Sequence, residues 1–135
     1  MIKHPNLEKI IEIRDFLKEI TPDFPYNKCQ VSTRFLKNEL GYSELAGRYM
    51  GKGKYYKYWH SWAHDKKNDL YIDITMNQFN EEHDSITILE PDTELLKPID
   101  KFTQQHIGLS DDYLFSYFQK HLNFVNIFNL YQEQI

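Results

Sequence analysis

Between residues 7 and 20, Leu7, Ile10, Ile11, Ile13, Phe16, Leu17 and Ile20 recur at helical spacing, with Glu8, Lys9, Glu12, Lys18 and Glu19 mostly on the other side. Asn6 is a candidate cap for this helix. Thr21-Pro22 ends it, because the residue before a proline is pushed out of helical geometry. The stretch from Pro22 to Lys28 holds two prolines and cannot be regular structure. A second helix is predicted from Cys29 to Leu40, burying Val31, Phe35, Leu36 and Leu40 and stopping at Gly41.

The period then changes. Leu45 to Met50 reads as a strand with Gly51-Lys52-Gly53-Lys54 as its turn. Tyr55 to His64 is dense in Tyr and Trp, a strand composition, and its rings are expected to fill one buried face. Asp65 to Asn68 is a polar turn. Leu70 to Thr75 alternates Leu70, Ile72 and Ile74 against Tyr71 and Asp73, and Ser85 to Leu89 is a further candidate strand. Residues 90–109 read as loop with at most a short helix. Ser110-Asp111-Asp112 is a good helix start, and Leu114, Phe118, Leu122, Val125 and Phe128 then run down one face to about Leu130. The expected order is two helices, an antiparallel meander and a terminal helix, which makes the chain a single α+β domain over residues 1–135.

Charge narrows the functional classes. Sixteen Lys and Arg against 20 Asp and Glu leave a formal charge of −4, which argues against a dedicated DNA-binding protein. Lys52-Gly-Lys54-Tyr-Tyr-Lys57-Tyr-Trp59 mixes basic and aromatic residues as single-strand nucleic-acid platforms do, but the basic stretch is short and the whole chain acidic, so no nucleic-acid partner is expected. No apolar run reaches the ~18 residues of a membrane helix, and the first residues have no secretory pattern. The lone Cys29 excludes an intramolecular disulfide and any multi-cysteine metal site. These features point to a cytoplasmic protein without a membrane partner.

Cys29 sits where a helix should begin after a proline-broken loop. Unpaired N–H groups and the positive dipole end favour a thiolate there, and the same N–H groups can hold an oxyanion. A single cysteine is more often a small buried hydrophobe, so position alone does not decide. Candidate partners come from the meander. A turn centred between Lys66 and Lys67 sets His60 directly opposite Asp73, near enough for a carboxylate to orient an imidazole. Shifting that register by two residues sets Trp62 opposite Asp73 instead, and shifting it by two more the same way brings His64 there. His64, Asp65 and His83 also suggest a metal cluster, but no ligand-spacing motif supports one, and no metal is expected. His4, His106 and His121 have no visible partner and read as surface or packing residues.

Cys29-Gln-Val-Ser, then His60-Ser-Trp62, then Asp73-Ile74-Thr75 follow in order, and this set resembles the core of the transglutaminase-like branch of papain-like cysteine enzymes. The continuation to Gln78-Phe79 is similar to small bacterial members of that branch. The resemblance spans roughly Asn27 to Phe79. It implies a papain-like fold and acyl-transfer chemistry on an amide or peptide bond, without a cofactor. In that scheme Cys29 is the nucleophile, His60 the base and Asp73 the orienting carboxylate. Two departures stand out: Asn27 lies where a small residue often precedes the cysteine, and no upstream Gln or Trp supplies an oxyanion donor. Asn27, Gln30, Trp62, Gln78 and the backbone around Cys29 are therefore the candidates for the oxyanion hole and substrate cleft. The expected partner is a peptide, protein or small amide. The rival expectation is a catalytically silent binding domain that uses the aromatic cleft to hold a partner.

Overall fold

The computed structural model of the protein describes residues 3–99. Two helices come first, α1 (Leu7–Ile20) and α2 (Cys29–Leu40). Five strands follow: β1 (Ser43–Tyr49), β2 (Trp59–Asp65), β3 (Leu70–Asp73), β4 (Thr87–Leu89) and β5 (Leu96–Pro98), with one 3-10 turn at Met76–Gln78. The strands form one antiparallel sheet in the order β4-β3-β2-β1-β5, so β2 is central. The chain is α+β as expected. The terminal helix predicted over 110–130 lies outside the described residues, as do His106 and His121.

Neither helix has a side-chain cap at its start; Asn6 instead donates its Nδ2–H to the Tyr42 hydroxyl at 3.0 Å. A cap is worth about 1 kcal/mol, whereas each buried large apolar side chain contributes about 1.5–3 kcal/mol, so packing holds these helices. Ile10, Ile13, Phe16 and Leu17 of α1 meet Val31, Phe35 and Leu36 of α2 over Ala63 and Ile72 of the sheet and Ile74 just past β3. Gly41 closes α2 in the left-handed conformation at φ 74°, which a residue without Cβ adopts freely. Alternation sends the neighbouring strand residues to the other face, where Tyr49, Trp62, Tyr71, Met76 and Leu96 form a second cluster. Both faces of the sheet are therefore covered.

Three expectations from the sequence need correction. The rings of Tyr55 to Tyr58 belong to a turn, and β2 begins only at Trp59. Pairing breaks there because Tyr49 donates its N–H to the Tyr58 carbonyl while accepting the Lys57 N–H, with Lys57 left-handed at φ 70°. Tyr56, Tyr58 and Trp59 are about half exposed, not packed on a buried face. The second correction is β5, inside a segment read as loop. It is a three-residue edge strand ending in proline, too short to show a period. It lies so close to β1 that a Cβ on Gly47 would stand 2.1 Å from the Lys97 carbonyl oxygen.

The third correction concerns the β2–β3 loop. Asp65 closes β2 rather than opening the turn: it pairs with Leu70, and its carboxylate accepts the backbone N–H groups of Lys67 and Asn68 and the Asn68 side-chain N–H. The register consequently pairs Ala63 with Ile72 and His64 with Tyr71, two residues away from the predicted alignment and therefore on the same face.

Candidate active site

Cys29 is the first residue of α2, reached through Asn27 in the left-handed conformation at φ 57°. No side chain caps this helix start, so the N–H groups of its first turn point out unclaimed by a cap. The cysteine is partly exposed. On its far side, Thr33 anchors the turn by donating its hydroxyl to the Cys29 carbonyl at 2.7 Å.

His60 lies near the start of β2 and Asp73 ends β3; both are 2% exposed. In the observed register Trp62, not His60, falls across from Asp73. The imidazole reaches the carboxylate from the diagonal position on the same face, still within range of a long side chain. Nε2 of His60 donates to Oδ2 of Asp73 at 2.5 Å. The other oxygen, Oδ1, accepts the Thr75 backbone N–H at 2.9 Å and the Thr75 hydroxyl at 3.4 Å. Asp73 is thereby held by its own chain while it holds His60.

His60 Nδ1 is shielded from solvent and has no hydrogen-bond partner of normal geometry, while the Cys29 side chain lies near enough to help raise the pKa of the ring. With Nε2 taken by Asp73, that contact falls to Nδ1, in the loose form common to unliganded sites. Burial by itself lowers the His60 pKa; the charge and hydrogen bond of Asp73, aided by Cys29, overcome it and raise the pKa from 6.5 to about 10. The raised pKa favours the imidazolium form of the ring, held between the Asp73 carboxylate and the Cys29 sulfur.

The segment after Asp73 ties these parts together. Gln78 accepts the Asn27 backbone N–H on Oε1 at 3.2 Å, linking the 3-10 turn to the loop before Cys29. Its Nε2 is shielded and unpartnered, as is Oε1 of Gln30. Phe79 packs edge-on against His60 with centroids 4.8 Å apart and stacks on Tyr49 at 4.4 Å. Trp62 is fully buried behind His60 and lines no open cleft; its rings contact His60 at 6.1 Å and Tyr71 at 5.6 Å.

The other histidines are engaged elsewhere. His64 pairs with Asp69 at 2.9 Å on the surface, away from Asp73. His83 meets the Tyr49 hydroxyl at 2.6 Å, and Asp65 faces the opposite side of the sheet from His64. Among the described residues, no group of three or more His, Cys, Asp and Glu is placed to hold a metal ion, and no helix is long and apolar enough to cross a membrane.

His4, read from the sequence as having no partner, is buried and bonded. Its Nδ1 accepts the Asn6 N–H at 2.9 Å, so Nε2 carries the proton that goes to Asp65 Oδ2 at 2.7 Å. Sixty-one residues separate this pair, and no local pattern could have announced it.

What the site can do chemically follows from its parts: a cysteine sulfur at an uncapped helix start, an imidazole beside it, and a buried carboxylate behind. No protein-family model matches this chain, and neither the curated proteins nor the solved structures give a match to it.

Proposed function

We propose that the protein is a cysteine-dependent acyl-transfer enzyme of the transglutaminase-like, papain-like kind, acting on an amide bond through Cys29, His60 and Asp73. The observation that carries the reading is the buried His60–Asp73 pair with Cys29 acting on the free side of the ring. The order of the three motifs and their resemblance to that branch support it further.

The chemistry starts with the thiol proton on His60, leaving a thiolate beside the imidazolium. Sulfur attacks the carbonyl carbon, and the developing oxyanion is met by N–H groups at the start of α2. The C–N bond breaks as imidazolium Nδ1 gives its proton to the leaving amine, and a thioester remains. Water or an amine then attacks the thioester, loses its proton to His60, and restores the thiolate. Asp73 keeps a hydrogen on Nε2 throughout, so that Nδ1 is the nitrogen that exchanges protons with sulfur and amine.

The test is the rate of iodoacetamide alkylation at pH 6. The wild-type cysteine is expected to react far faster than free cysteine, with His60→Ala slowing it and His64→Ala leaving it alone. Cysteine-directed activity probes should modify residue 29. A Cys29 no more reactive than free cysteine would reject the enzyme reading in favour of a binding domain, the alternative that the exposed Tyr58 and Trp59 favour.

A further inference from the structure

The turn between β1 and β2 carries charge and rings that the triad does not use. From Leu45 to His64 the sequence holds Arg48, Lys52, Lys54 and Lys57 and no Asp or Glu, in a chain whose formal charge is −4. The three lysines are exposed, and beside them Tyr56, Tyr58 and Trp59 keep 49%, 53% and 54% of their surface in water. Cations and rings are already paired: Arg48 lies 4.0 Å above Trp59, Lys54 5.0 Å from Tyr55 and Lys57 5.4 Å from Tyr56. Arg48 also donates to the Lys57 carbonyl at 2.8 Å, which fixes the turn against the strand. Left-handed Lys57 and Gly53, at φ 70° and 114°, hold the bend that presents them.

This platform adjoins the candidate site. Ring contacts lead from Tyr58 to Tyr55 at 5.1 Å, from Tyr55 to Phe79 at 5.5 Å and from Phe79 to His60 at 4.8 Å. Exposed rings forgo the gain of burial, and four cations in a span with no acid of its own favour anions nearby. A ligand that satisfies both is acidic and carries apolar or aromatic side chains.

We propose that this platform docks an acidic, apolar-bearing segment of a peptide or protein substrate and leads it to Cys29. The proposal rests on the acyl-transfer reading for its choice of a peptide over a nucleic acid, since the platform ends at a centre suited to amide bonds. It names the substrate class of that centre.

The experiment uses the whole protein and two independent readouts. Fluorescence anisotropy measures binding of a labelled peptide alternating Glu and Phe, of its Lys/Phe counterpart, and of a labelled oligo-uridylate. Alkylation of Cys29 is followed with the same two peptides carrying an iodoacetyl group, each rate divided by the iodoacetamide rate of the same protein. The Glu/Phe peptide should bind and label at least about tenfold better than the Lys/Phe peptide at low salt, the lower end of electrostatic steering. That ratio should shrink toward one at about 0.5 M salt, where charges are screened within a few ångströms. In a Lys52→Glu, Lys54→Glu, Lys57→Glu variant, confirmed as folded by circular dichroism, the preference should invert. Equal affinity for the two peptides, or tighter binding of oligo-uridylate than of the Glu/Phe peptide, would overturn the proposal. An unreactive Cys29 with the acidic preference intact would sink the acyl-transfer reading and leave the platform standing; a reactive Cys29 without the preference would do the opposite.

Discussion

Replacing Asp73 by Asn tests the triad with the smallest change of shape. The Asn Oδ1 can still accept the Thr75 N–H that the native Oδ1 accepts at 2.9 Å. Its Nδ2, however, can only donate to His60 Nε2, so the ring must surrender the hydrogen there and carry its proton on Nδ1, the nitrogen facing sulfur. A neutral ring in that tautomer cannot take the thiol proton. The charge that lifts the His60 pKa to about 10 is removed as well, and burial then pulls the pKa down. At pH 6 a free cysteine with pKa ≈ 8.5 is about 0.3% thiolate. A loss of at least about tenfold in alkylation rate is expected for the variant at that pH, with about 300-fold, the ratio of a fully ionised thiol to that free cysteine, as the ceiling. Stability should fall by about 1–3 kcal/mol: a hydrogen bond to a charged group is lost, but no buried donor is orphaned, which keeps the cost below that of deleting one partner outright. Stopped-flow alkylation between pH 5 and 9, with urea unfolding in parallel, reads both quantities. The wild-type and variant profiles should converge above pH 9. A folded variant with an unchanged profile would show that Asp73 does not act on the thiol, and the tautomer argument would be wrong.

The raised His60 pKa also makes stability depend on pH. Its stabilisation is present in full below about pH 6.5 and is lost as pH rises toward 10, because the unfolded chain releases the proton first. In Cys29→Ser, where no thiol titrates, urea-derived stability should decline from pH 7 to 10 by at most about 1.4 kcal/mol per unit; a flat profile would contradict the assignment. Gly47→Ala should cost about 1–3 kcal/mol, because its Cβ would stand 2.1 Å from the Lys97 oxygen, and it should speed exchange of the Ile99 amide, bonded at 3.1 Å to Ala46. Unchanged exchange there would mean that β5 is not held by that close approach. Asp65→Ala should cost about 3–5 kcal/mol by chemical unfolding, since it strands the buried His4 N–H and releases the loop it caps; a loss under about 1 kcal/mol would count against the pairing.

Which parts of the molecule were legible depends on how local their causes are. The helices were, because Ile10, Ile13 and Leu17, or Val31, Phe35 and Leu36, declare a 3.6-residue period within one segment. Cys29 at a helix start followed from the prolines before it and the stripe after it. The His60–Asp73 partnership was reached by the right face and the wrong register, because composition does not say whether Asp65 ends a strand or begins a turn. That depends on where its carboxylate finds N–H groups. Tyr55 to Tyr58 looked like a strand since ring content signals strands whether or not a left-handed residue such as Lys57 interrupts the ladder. The His4–Asp65 bond and the β1–β5 pairing join distant segments and leave no periodic trace.

The stretch from Asp73 to Phe79 has a consequence for how this protein can change over generations. Within seven consecutive residues the side chains of Asp73, Gln78 and Phe79 supply the carboxylate for His60, the amide that braces the loop before Cys29, and the ring that seats the imidazole. One inserted or deleted residue there would rotate the later side chains out of place, dismantling three alignments together. The tip of the β1–β2 turn, Lys52 to Lys54, is under no such constraint, because these residues are exposed and a Cβ on Gly53 would meet nothing within 4 Å. Length variation among descendants of this chain should therefore gather in that turn, letting the range of bound segments drift while the spacing between Asp73 and Phe79 stays fixed.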